Sequence, residues 1–151
     1  MGLGLRALVA RGGSLGDTIA EIHDQGGLAI VAHPLLATPT SARATILREL
    51  AEGRPDRRPD ALEVFNTRVA WLPGYRRRVE RLAAAAGYAA VGGSDAHRPA
   101  NIGRGLTRYP GRTLADLRAA IAAGETFGEG NAYGLRDLHL AARRRAGRLV
   151  D

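Results

Sequence analysis

The chain has 151 residues, no cysteine and a formal net charge of +7. This length suits one modest domain with a real hydrophobic core, and the lack of cysteine excludes disulfides and thiolate metal ligands. No apolar run approaches the roughly 20 residues that a membrane-spanning helix needs, and the first residues are not typical of a signal peptide. We therefore expect a cytoplasmic protein that does not enter the membrane.

The basic charge comes entirely from arginine, because the sequence contains no lysine. A cationic surface attracts anions such as phosphates, but uniform arginine use beside abundant alanine and glycine also fits a coding bias. The sequence has no helix-turn-helix, zinc-finger or arginine-aromatic pattern, which argues against specific nucleic-acid binding.

Four segments have apolar residues at helical spacing and predict four amphipathic helices. The four stripes are Leu15-Ile19-Ile22, Ile46-Leu47-Leu50, Val79-Leu82-Ala83-Ala86 and Leu114-Leu117-Ile121. Ser14 and Thr113 precede the first and last stripes and are candidate N-caps. Gly87 follows the third stripe, where a helix is expected to end.

Three nearly continuous apolar runs lie between these helices and predict strands at 28–32, 61–65 and 88–92. Such runs are typical of parallel strands that are buried on both faces. Strands alternating with helices predict an α/β fold, with a short fourth strand at 106–109.

Polar side chains follow each of these three strands. His33 follows the first, Asn66 and Arg68 follow the second, and Asp95 and His97 follow the third. Catalytic groups of α/β proteins gather at the carboxyl ends of parallel strands. We therefore expect these five side chains to share one site.

The residue types suit a divalent metal, since imidazole and carboxylate bind zinc, manganese or iron. Each residue alone also has an ordinary explanation: a His before Pro is often a turn residue, and a Ser-Asp pair is often a helix cap. Asn66 and Arg68 lie where a phosphate can be held, or they serve as a strand-end cap and a surface charge. Glu63, inside its strand, can be a ligand, a residue that orients a ligand, or a buried ion-pair partner.

Three segments resemble conserved blocks of PHP (polymerase and histidinol phosphatase) domain proteins. They are residues 25–34, which end in His33-Pro34, residues 62–68, and residues 92–97, which contain Asp95 and His97. The resemblance covers roughly residues 14–126, in the same order as in the family.

The resemblance implies a distorted (β/α)7 barrel with two or three manganese, zinc or iron ions at the strand ends. It implies hydrolysis of phosphate mono- or diesters, such as nucleotides, by metal-activated water. His33, Asp95 and His97 would be metal ligands, Asp95 and His97 would also take part in catalysis, and Asn66 and Arg68 would contact the substrate.

The sequence departs from the family because it lacks the family's early His-x-His, Asp-His and Gly-x-Glu blocks. We therefore expect a remnant at 1–13, the carboxyl-terminal half of a barrel at 14–127 and an arginine-rich tail at 128–151. Activity of the chain alone would be weak or absent, and a partner chain or a second copy would complete the barrel. The alternative is a non-catalytic α/β module that binds phosphate ligands or a protein partner.

Overall fold

The computed structural model describes residues 1–133, so most of the predicted tail at 128–151 lies outside the described residues. Within these residues the fold has six strands, four α-helices and two short 3-10 helices at Pro55–Arg57 and Pro99–Asn101. The strands are β1 (Gly2–Leu3), β2 (Leu28–Val31), β3 (Ala61–Asn66), β4 (Ala89–Gly93), β5 (Gly105–Arg108) and β6 (Phe127–Gly130). The helices are α1 (Leu15–Asp24), α2 (Ala44–Glu52), α3 (Tyr75–Ala86) and α4 (Leu114–Ala123).

The helix boundaries follow from local capping, and the four predicted helices are confirmed. The Ser14 hydroxyl accepts a hydrogen bond from the amide of Asp17 at the start of α1. Thr113 and Asp116 form a reciprocal capping box at the start of α4. Gly87 ends α3 in the left-handed conformation that glycine adopts without strain.

The larger sheet has the order β1-β2-β3-β4. β2, β3 and β4 are parallel neighbours, as predicted, and β1 pairs antiparallel to β2 over two residues. Because neighbouring parallel strands run in one direction, the carboxyl ends of β2, β3 and β4 lie at the same edge of the sheet.

The predicted fourth strand is present as β5, but it pairs antiparallel with β6 in a separate two-stranded sheet. The sequence analysis did not predict β6, which begins at Phe127 and includes residues 128–130 of the expected tail segment. This small sheet packs closely on β4, because a Cβ atom at Gly92 would meet the Leu106 carbonyl oxygen and the backbone of Gly128. Glycine is therefore required at that contact.

Helices pack on the parallel sheet through two groups of buried side chains. The larger group joins β3 to α2 and α3 through Leu47, Leu62, Val64 and Val79, and Tyr88 is part of it. The second group joins Ile30, Ala61, Ala89 and Val91 of the sheet to Ile121 of α4. β3 is central to both groups, and all six of its residues are buried.

The predicted α/β class is confirmed at the level of a mixed α/β fold with a mostly parallel sheet and flanking helices. Within residues 1–133 the strands do not close into a barrel. In the same part of the chain, no helix is long and apolar enough to cross a membrane.

Replacing Leu62 with alanine tests the core. Leu62 is fully buried in β3, so Leu62→Ala is expected to lower the free energy of unfolding by about 2–5 kcal/mol. Denaturant unfolding measures the change. The matched control is Leu114→Ala in α4, where the side chain is 78% exposed; a loss as large as that of Leu62→Ala would contradict this account of the core.

Candidate functional site

The predicted site residues follow three adjacent parallel strands at one edge of the sheet. His33 lies two residues beyond the end of β2, Asn66 ends β3, and Asp95 lies two residues beyond the end of β4. His33 and Asp95 are partly buried, whereas Arg68 and His97 are exposed. The strand order thus brings the predicted residues to the same edge of the sheet.

A buried carboxylate links these strand ends. Glu63 of β3 is only 3% exposed, and its Oε2 accepts hydrogen bonds from the backbone N–H of His33 at 2.7 Å and from Asn66 Nδ2 at 2.9 Å. Its Oε1 lies against Gly93 of β4, in the position that a Cβ atom there would occupy. One side chain therefore contacts the ends of β2, β3 and β4.

The surroundings of Glu63 act on its protonation in opposite directions. Burial raises the pKa of the Glu63 carboxyl, because desolvation disfavours the charged form. Hydrogen bonds from Asn66 and from the His33 amide lower this pKa, while the negative charge of Asp95 raises it. Burial is the largest of these effects, and it leaves the pKa of Glu63 above its usual value.

Two of the predicted ligands have unusual backbone conformations. His33 has φ of +29° and Asp95 has φ of +44°, in a region that side chains other than glycine rarely adopt. Such conformations persist only where surrounding contacts enforce them, and they cluster at functional sites. At Asp95 the enforcing contact includes Tyr133, whose hydroxyl lies 3.1 Å from the Asp95 carbonyl oxygen.

Hydrogen bonds identify the tautomer of His97. Its Nδ1 lies 2.9 Å from the Asp95 carbonyl oxygen, which can only accept a hydrogen bond, so Nδ1 carries the proton. Its Nε2 lies 3.0 Å from NH1 of Arg68, which can only donate. His97 is therefore a neutral imidazole with a lone pair on Nε2.

The loop after β3 supplies the cation of the site. The Arg68 backbone N–H donates to Asn66 Oδ1, which fixes the start of the loop. The Trp71 indole N–H donates to the Arg68 carbonyl oxygen, so this tryptophan anchors the loop although it is half-exposed. Within residues 1–133 the Arg68 guanidinium forms no ion pair with a carboxylate and is available to an anion.

Residues 73–126 match the family model described as PHP-associated. This stretch is therefore similar to the PHP-associated region that follows PHP domains. The match covers the segment from just before α3 to just before β6 and contains Asp95 and His97, and it agrees with the resemblance predicted from the sequence. No curated protein matches the chain.

The PHP family generally uses divalent metals, and the donor types at this edge fit such an ion. His97 presents a lone pair on Nε2, and its other ring nitrogen donates to a backbone carbonyl, as is usual for metal-binding histidines. His33 Nδ1 is buried without a hydrogen-bond partner in the described part of the chain. Residues 1–133, however, contain no group of three His, Cys, Asp or Glu that could hold a metal ion.

Sequence analysis missed the buried contacts that hold the PHP-associated segment in place. Ser94 Oγ accepts hydrogen bonds from the amides of Gly103 and Gly105 and donates to the Gly105 carbonyl oxygen. In the sequence, a serine between a glycine pair and an aspartate can be noticed, but this pattern predicts a helix N-cap as readily as a residue that binds a neighbouring loop. His23 pairs with Asp60 at 3.0 Å, and because Asp60 precedes β3, this pair lies at the end of β3 opposite to Asn66. His139 lies outside the described residues.

The His97 tautomer is directly measurable. Long-range 1H–15N correlation spectra of the metal-free protein are expected to show a protonated Nδ1 and an unprotonated Nε2, because each nitrogen faces a partner of fixed role. Arg68→Ala should leave Nδ1 protonated, since the Asp95 carbonyl remains. An Nε2–H tautomer in the unaltered protein would contradict the assigned hydrogen bonds.

Proposed function

We propose that this chain supplies one side of the site of a metal-dependent phosphoesterase, with His33, Asp95 and His97 as metal ligands. The observation that supports this most is the Nδ1–H tautomer of His97, which leaves Nε2 as the ring nitrogen with a lone pair; that lone pair accepts a hydrogen bond from Arg68, which a metal at Nε2 would displace. Asp95 adds a carboxylate two residues earlier, and its side chain is 23% exposed. Manganese, zinc or iron fits this donor set.

A divalent metal bound at such a site activates water and neutralises phosphoryl oxygens. The chain's own contribution is to orient the donors and to hold the anion. Arg68 is the candidate phosphate contact, because its exposed guanidinium is free of carboxylates within residues 1–133 and can donate two parallel hydrogen bonds. Asn66 acts with it by binding the Arg68 amide.

Donors from another polypeptide segment complete the site in this proposal, since residues 1–133 do not assemble three candidate ligands. A groove of about 540 Å³ lies beside His33 along β2 and is lined by apolar residues such as Ile30, Val31 and Ile46. We propose that a partner chain or a second copy packs in this groove and brings the missing donors beside His33.

Hydrolysis of p-nitrophenyl phosphate and of bis(p-nitrophenyl) phosphate tests the activity. We expect hydrolysis that requires manganese and falls at least about tenfold in Asp95→Ala, since even residues that only support metal ligands are worth that much. The matched control is Asp24→Ala, which removes an exposed carboxylate in the last turn of α1. Equal losses in both variants, or hydrolysis that persists after chelation, would contradict the proposal.

The second candidate is a non-catalytic module that binds phosphate, and the lack of a three-donor group within residues 1–133 favours it. The two functions differ in what Arg68→Ala and Asp95→Ala change. In a phosphate-binding module, calorimetry with inorganic phosphate would show binding that is lost in Arg68→Ala and kept in Asp95→Ala, with no manganese-dependent turnover. A rate per chain that rises with chain concentration would instead support an enzyme completed by a second copy.

A further inference from the structure

The Glu63 carboxylate is buried and forms no close ion pair, although the amino-terminal ammonium of Met1 is near enough to interact with its charge. None of the ion pairs within residues 1–133 includes it, and only polar groups of His33 and Asn66 bind its Oε2. A buried charged or polar group is costly unless hydrogen bonds compensate it. An apolar residue would pack in the middle of β3 at no such cost, so a role for the carboxylate itself is required.

The contact to His33 is the unusual one. A backbone amide just beyond the end of a strand normally pairs with a backbone carbonyl or with water, whereas the His33 amide binds the carboxylate at 2.7 Å. His33 is also strained, with φ of +29°. A charge-assisted hydrogen bond is about twice as strong as a neutral one, which can hold a conformation that costs about 1–3 kcal/mol.

The other oxygen of the Glu63 carboxylate, Oε1, also has a specific position. Glu63 Oε1 fills the space over Gly93 that a side chain would need, so the carboxylate is held between β2 and β4. Asn66 fixes the same carboxylate from its own strand, by donating its Nδ2–H to Oε2. These contacts leave the Glu63 carboxylate one position, and that position determines where the His33 backbone lies.

We propose that Glu63 is a positioning residue, whose buried carboxylate holds the His33 backbone in its strained conformation and so directs the His33 imidazole into the site. In this role Glu63 acts through His33 and contacts neither metal nor substrate. The inference rests on the proposed function only in taking the His33 imidazole as part of the site. Its test uses the metal-free protein, so it can fail or succeed independently of phosphoesterase activity.

The test compares the His33 imidazole signals in NMR spectra of the metal-free variants. Glu63→Met keeps the length of the side chain but removes both acceptors, and it is expected to shift or broaden the His33 ring signals. Glu63→Gln keeps an acceptor oxygen and should largely restore them. Leu62→Ala, one residue away on the opposite face of β3, should destabilise the protein and leave the His33 signals in place.

Gly93→Ala provides a second variant, because it displaces the carboxylate without changing its chemistry. It should shift the same His33 signals, whereas Gly13→Ala, where an added Cβ meets nothing closer than 3.6 Å, should not. Glu63→Met can fail to fold, so hydrogen exchange of the unaltered protein adds an independent measurement: the His33 amide should exchange far more slowly than the exposed Gly12 amide.

Three outcomes would overturn the proposal. The first is unchanged His33 signals in folded Glu63→Met or Gly93→Ala. The second is a shift of the same size in Leu62→Ala, which would show a general effect of lost stability. The third is rapid exchange of the His33 amide, which would show that the Glu63 hydrogen bond does not hold it.

Discussion

Three neighbouring parallel strands end at one edge of the sheet, and every candidate site residue depends on that alignment. Parallel pairing of β2 with β3 and of β3 with β4 places His33, Asn66 and Asp95 at the same edge. An antiparallel partner in the middle would move one of these residues to the far edge. The alignment itself depends on β3, whose apolar side chains pack against α2 and α3 on one face and against α4 on the other.

The site edge carries polar groups that a core would normally exclude, and several of them bind partners distant in sequence, although His33 Nδ1 and Thr67 Oγ1 have no partner in the described part of the chain. Tyr75 of α3 donates its hydroxyl hydrogen to the Pro34 carbonyl oxygen at 2.8 Å, which secures the loop after His33. Burial is the main cause that raises the pKa of this tyrosine, and the negative charge of Glu63 raises this pKa further. The hydroxyl therefore remains a donor, and α3 holds the β2 end of the site while Tyr133 holds the β4 end.

Much of the scaffold could be predicted because its signals are local. Helical stripes and capping residues such as Ser14 and Thr113 act over three or four positions, and continuous apolar runs indicate parallel strands wherever they occur. The pairing of β5 with β6 was missed because Leu106 and Phe127 are both exposed and half of the other paired residues are glycines. A contact of this kind forms because glycine has no side chain, so it leaves no periodic apolar pattern in the sequence.

The location of the candidate residues at one edge of the sheet was predictable from the sequence, but their contacts were not. His33 and Asp95 could be located because they follow strands. A glutamate in an apolar strand, however, can be a ligand, an orienting residue or an ion-pair partner, and only the folded structure distinguishes these roles. The structure shows the Glu63 carboxylate between His33 and Gly93, far apart in sequence, and no pattern within one segment encodes that contact.

The same geometry explains why the site is rigid on one side and open on the other. Glu63 and Tyr133 bind the backbone of the strained residues, so contacts with the folded chain set the positions of His33 and Asp95. The side chains of Arg68 and His97, by contrast, are exposed and contact each other, and His97 Nδ1 also contacts the Asp95 carbonyl oxygen and, at 3.7 Å, Asp95 Oδ1. In the proposed function, a metal at Nε2 of His97 would displace the Arg68 guanidinium from that nitrogen. The displaced guanidinium would then be free to bind a phosphate beside the metal, so we expect binding at these two groups to be linked.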